Sequence, residues 1–271
     1  TAYEISLGLV GSEMCIRDRY KIVMPVEKIV VGRDRSDLEK FGTKGTAYIG
    51  KHIVGKGEEA HLTNPVVMDV IRPHVVLVCG KRGTGKSYTA GVIAEEIALL
   101  PEDIRKNLSV LMIDTMGIYW SMQNPNEKDA DLLKKWGIEP KGLDVQLFVP
   151  KKFVKEYEKV GIKALPFTLP CCELTATDWI ITFGFSPIDA YGIAIERAIK
   201  TIKQKPNYTI EDIIDAIEKD KRTEKQVKDA LVNRFLAAKD WGIFEKHGTS
   251  ISKLFEAGRI SILDISHYMR V

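Results

Sequence analysis

The chain has 271 residues, 45% of them apolar and 28% charged, with 40 Lys and Arg against 37 Asp and Glu. That composition suits one large α/β domain with a smaller accessory part, and it excludes a disordered or collagen-like chain. A net charge of +3 does not by itself mark a nucleic-acid binder, although a ring can concentrate positive charge in its pore.

Residues 4–19, EISLGLVGSEMCIRDR, resemble translated sequencing-library adapter, so residues 1–20 are set aside from functional reasoning. From 21 to 62 the chain is β-rich. Strands are expected at 22–24, 29–31 and 46–54, with a helical turn at 34–41 and glycines in the connections. Residues 66–71 form another apolar run, broken by Arg72-Pro73. HVVLVC at 74–79 is continuous and predicts a strand covered on both faces.

The next eight residues, Gly80, Lys81, Arg82, Gly83, Thr84, Gly85, Lys86 and Ser87, fit the phosphate-loop pattern G-x-x-x-x-G-K-[ST]. Its glycines let the backbone turn tightly and bring amide hydrogens against phosphate oxygens. A helix begins here, with Tyr88 in its first turn, so its unpaired N–H groups and positive dipole end face an anion. Lys86 is expected to reach the β- and γ-phosphates, and the Ser87 hydroxyl to ligate Mg2+. The expected ligand is ATP with Mg2+, bound across residues 80–88, with Lys86 as the catalytic cation.

Beyond this helix, which Pro101 stops, strands are expected at 109–114 and 144–149, with a helix around 130–136 between them. Alternation of this kind predicts a parallel sheet covered on both faces. Ser186-Pro187 reads as a helix start, and periodic apolar positions continue through 188–203, 209–219 and 223–241. Residues 186–245 are therefore expected to be a helical insertion, and the chain returns to the sheet at 259–266.

Hydrolysis needs an acidic metal partner and a carboxylate that polarises water. Asp114 and Asp264 end their strands, but Thr115 and Ile265 follow them rather than glutamate. Asp114 is taken as a candidate Mg2+ ligand, with a turn cap as the competing role, and the hydrolytic carboxylate is expected beyond Val271. Tyr119 and Trp120 read as a strand-exit aromatic pair, the basic stretches 200–205 and 221–228 as solvated helix faces, and the five histidines lack ligand spacing. Cys15, Cys79, Cys171 and Cys172 include no C-x-x-C pair and read as buried reduced thiols, with Cys171 and Cys172 on opposite faces of an extended segment. No apolar run approaches the ~18 residues that span a bilayer, so a cytoplasmic protein is expected.

Taken together, residues 66–96, VVMDVIRPHVVLVCGKRGTGKSYTAGVIAEE, resemble the entry strand, phosphate loop and first helix of the HerA branch of the FtsK–HerA translocase superfamily. That family commonly carries Asp-Pro-His-Gly-Glu-Tyr after its next strand. Here the stretch reads Asp114-Thr115-Met116-Gly117-Ile118-Tyr119, matching at Asp, Gly and Tyr. GRISILDIS at 258–266 resembles the strand after the family's helical insertion. The resemblance implies an α/β, RecA-like P-loop core over 63–271 with a mostly parallel sheet, preceded by part of a β-barrel at 21–62. It further implies a hexameric ring with DNA in its channel, a role in DNA end processing, and a NurA-type nuclease as partner. The adapter-like start and the abrupt stop at Arg270-Val271 point to a piece of a longer protein, weak or inactive alone. The competing functional readings are a nucleotide-gated switch or defence-associated module that does not move DNA, and a small-molecule P-loop kinase.

Overall fold

The structure is a computed structural model, and it describes residues 27–269. The adapter-like segment, the strand expected at 22–24 and Cys15 lie outside the described residues. Two compact units divide the chain, the first ending at Leu100 and the second beginning at Pro101.

In the first unit, β1 (Ile29–Val31), α1 (Arg35–Phe41), β2 (Thr46–Val54) and β3 (His61–Asp69) follow one another. They form a three-stranded sheet in the order β1-β3-β2, with β1 parallel and β2 antiparallel to β3. Asp34 caps α1 by accepting the Asp37 N–H at 2.7 Å. Ala47 and Val67 are the buried apolar residues of the sheet. The run expected at 66–71 begins earlier and stops at Asp69, because the Asp69 carboxylate accepts the N–H groups of Ile71 and Arg72 and turns the chain there. The helix α2 (Lys86–Ala98) packs against β2 and buries Ala94.

The strand expected at 74–79 is not formed. These residues belong to no strand among the described residues, and Val75 and Leu77 are 102% and 85% exposed. A run of β-branched residues favours extended backbone, but a strand also needs a neighbour to complete its ladder, which an apolar run does not specify. Cys79 lies on this segment and is exposed, which corrects its reading as a buried thiol.

The second unit holds a wholly parallel sheet of β4 (Val110–Asp114), β5 (Val145–Pro150), β6 (Leu165–Phe167) and β7 (Ile260–Asp264), in the order β4-β7-β5-β6. Leu147, Phe148, Val149, Ile260 and Ile262 form its buried centre, and both faces of the central strands are closed to solvent. Helices α3 (Ala130–Lys135) and α4 (Val154–Lys159) lie in its connections. This is the expected α/β class, a RecA-like P-loop core with a small N-terminal sheet.

A helical segment separates β6 from β7: α5 (Ala176–Phe183), α6 (Ala190–Ile202), α7 (Ile210–Lys219) and α8 (Lys225–Lys239). Their apolar stripes meet around Trp179, Ile195, Ile213, Leu231 and Phe235. Sequence reasoning passed over α5, although Thr175 and Asp178 bond reciprocally as a capping box at its start. It also placed the start of α6 too early. Asp189, not Ser186, is the cap, accepting the Gly192 N–H at 2.7 Å and the Ser186 N–H at 2.9 Å. Cys171 and Cys172 lie in a 3-10 turn rather than an extended segment. Cys171 is buried, and that burial pushes its thiol up to about 12, so it stays protonated and inert.

Candidate nucleotide-binding site

Residues 80–88 form a loop that runs into the first turn of α2. Gly85 caps the helix at φ 87°, ψ 12°, a left-handed conformation that strains any residue with a Cβ. Gly80 is required for a different reason. A Cβ there would lie 2.5 Å from the Thr84 hydroxyl, which itself bonds to the Lys81 carbonyl at 2.8 Å. The Thr84 N–H reaches the same carbonyl at 3.3 Å.

Lys86 is the first residue of α2, and its ammonium donates to the Lys81 carbonyl at 2.7 Å. The side chain therefore folds back over the loop, placing its charge between the loop apex and the helix mouth. At Gly83 and Gly85 an added Cβ would meet no atom within 4 Å, so the space on that side of each residue is open. Lys81, Arg82, Ser87 and Tyr88 are exposed, Tyr88 at 64%. The arrangement can hold an anion: a helix start presents N–H groups that have no preceding turn to bond, and the Lys86 ammonium rests on the loop that leads into it.

Close to this loop in sequence, the same unit holds a charged knot that sequence reasoning missed. Asp69 is buried, and its Oδ1 accepts Arg33 Nε at 3.0 Å, while His74 Nε2 lies 2.8 Å from its Oδ2. Arg33 also donates to the carbonyls of Gly42, Lys44 and Gly45. Burial alone would raise the Asp69 carboxyl. The bonds from His74, Arg33 and the Arg72 and Ile71 amides overcome it and hold the group at about 2. Arg72 pairs with Asp37 through two bonds of 2.8 and 2.7 Å. These ties fix the chain on both sides of Arg72-Pro73, just ahead of the 74–79 segment. The only sequence signal was a set of charges at strand ends, with partners up to 36 positions apart.

The second unit places Asp114 and Asp264 as register partners at the carboxyl ends of β4 and β7. Both are buried. Asp114 Oδ1 accepts the N–H groups of Met116 and Gly117 at 2.9 and 2.8 Å, and Oδ2 those of Ile118 and Tyr119 at 2.7 and 2.9 Å. It thus caps the turn that follows its strand. Asp264 accepts the Ser266 N–H at 2.9 Å and the Tyr157 hydroxyl at 2.5 Å. Gly117 has φ 66°, and a Cβ there would lie 2.5 Å from Ser266 Oγ and 3.3 Å from Asp264 Oδ2. The Asp114 carboxylate and the backbone of Met116, Gly117, Ile118 and Tyr119 therefore build the turn, and Thr115, Met116 and Ile118 are exposed residues. Tyr119 and Trp120 are half-buried at the start of a 3-10 turn. No group of three or more His, Cys, Asp or Glu able to hold a metal occurs among the described residues.

A lysine delivered from a glycine loop onto a helix start, in a chain that also builds a parallel α/β sheet, defines a P-loop nucleotide-binding protein. The chain belongs to the family described as helicase HerA, central domain, which matches residues 47–270. It is accordingly an ATPase of the FtsK–HerA superfamily. No curated protein matches the chain.

Proposed function

We propose that residues 80–88 bind ATP with Mg2+ and that the chain is part of a hexameric DNA translocase acting in DNA end processing, with a NurA-type nuclease as its partner. The observation that carries the nucleotide reading is the 2.7 Å bond from Lys86 Nζ to the Lys81 carbonyl across a left-handed helix cap. An ammonium held by a neutral carbonyl is poised to exchange that partner for a charged phosphate oxygen, a stronger bond. The residues fit the group: open space stands over Gly83 and Gly85, and Ser87 follows Lys86 at the position from which a hydroxyl reaches a phosphate-bound Mg2+. Mg2+ screens the phosphates when bound, while the chain's own residues bind and orient the nucleotide.

Asp114 would take the metal only by giving up some of its four N–H bonds, so a metal role for it requires the 116–119 turn to rearrange. Neither Asp114 nor Asp264 presents a solvent-facing carboxylate, which supports weak hydrolysis by this chain alone. The same observation favours the second reading, a nucleotide-gated switch. No helix among the described residues is long and apolar enough to cross a membrane.

ATP turnover of the complete protein, measured with and without duplex DNA, separates the readings. DNA-stimulated turnover by a ring supports the motor. ATP-dependent oligomerisation with negligible turnover supports the switch.

A further inference from the structure

Ser266 carries a buried hydroxyl that has no hydrogen-bond partner among the described residues. Such an atom costs free energy unless another state of the molecule uses it. Its backbone is fixed, because the Ser266 N–H bonds to Asp264 Oδ1 at 2.9 Å. What faces the hydroxyl is Gly117, whose Cβ direction points to within 2.5 Å of Ser266 Oγ. Gly117 belongs to the turn that closes over Asp114, and its N–H goes to Asp114 Oδ1 at 2.8 Å. That turn can move at little cost in burial. Thr115 is exposed, and Met116 and Ile118 are 64% and 42% exposed, so displacing them draws little apolar surface out of the core. Gly117, at φ 66°, can cross between left- and right-handed backbone without the Cβ penalty that confines other residues. A carboxylate is the stronger acceptor, so the closed turn is the ground state.

We infer that Ser266 is a positioning residue for Asp114: its hydroxyl is the acceptor that takes the Gly117 N–H when the turn opens. Residues 116–119 are then a two-state cover over the Asp114 carboxylate. Opening leaves Oδ1 free for a divalent cation, a consequence that rests on the metal reading of Asp114 above. The cover itself does not rest on it. The sign of one substitution separates this role from a structural one. A serine that merely braces the closed turn loosens it when removed. A serine that receives a released amide makes opening harder when removed, and its loss takes no bond from the closed state.

The test is amide hydrogen exchange of the full chain, read residue by residue by NMR, in wild type and Ser266→Ala, with Mn2+ alone as the cation probe. In Ser266→Ala, exchange at Met116 and Gly117 is expected to slow about fivefold or more, with the thermal midpoint equal to or above that of wild type. Paramagnetic broadening of the 114–117 amide signals is expected to need about fivefold more Mn2+ in the variant, because the open turn is scarcer. Faster exchange with a lower midpoint shows a brace, and unchanged exchange shows that Ser266 takes no part in opening; either result overturns the inference. Slowed exchange with no Mn2+ broadening in either protein upholds the cover and removes the metal reading of Asp114.

Discussion

The Tyr157 hydroxyl donates to the Asp264 carboxylate at 2.5 Å, joining α4 to the carboxyl end of β7 across 107 positions of sequence. Both residues are buried, so this bond satisfies Asp264 Oδ2 away from water, while the Ser266 N–H holds Oδ1. Tyr157→Phe keeps the ring and removes only the donor. It is expected to lower stability by about 1–3 kcal/mol, read as a lower denaturant midpoint at unchanged slope.

Gly117 makes a second, steric join between the two strand ends. Gly117→Ala places a Cβ 2.5 Å from Ser266 Oγ on a backbone at φ 66°, and should cost about 1–3 kcal/mol. Because part of the cost is the contact and part the backbone, Ser266→Gly in the same chain should recover some of the loss but not all. Full additivity of the two substitutions in a double-mutant cycle would contradict the contact.

The charged knot in the first unit makes that unit acid-sensitive in a defined window. The folded Asp69 carboxyl is held at about 2, below its ordinary 3.8, so the unfolded chain takes up the proton first on acidification. The contribution is fully present above the ordinary value and is lost as pH falls from about 4 to about 2. It is on the order of 2 kcal/mol at neutral pH. Amide hydrogen exchange of β1 and β3, measured at matched intrinsic exchange rate, should show protection falling across that window. Protection that stays flat between pH 4 and pH 2 would contradict the assignment.

The phosphate-loop pattern is legible because it depends on residue type at fixed spacing within eight neighbouring residues. The strand at 29–31 is legible as a β-branched run and that at 46–54 by its alternation, both of which report local backbone preference. Three things are not. Whether Asp114 binds metal or caps a turn depends on where the four following amides point, and only the fold decides that. Asp69 and Arg33, like Tyr157 and Asp264, are partners brought together by topology, with nothing in their spacing to pair them. The segment at 74–79 shows the converse: an apolar run favours extended backbone without fixing the neighbour that would make it a strand. The start of α5 is marked in the sequence by Thr175 and Asp178, a capping pair three residues apart.

The measurement that bears most directly on the nucleotide site is calorimetric binding of ATP, with Mg2+, to wild type and Lys86→Ala. Lys86 holds only an exposed loop carbonyl, so its removal should leave the thermal midpoint within about 2 °C. Wild type should bind, and Lys86→Ala should lose at least about a hundredfold in affinity. Equal affinity in the two proteins would contradict a triphosphate held at the mouth of α2.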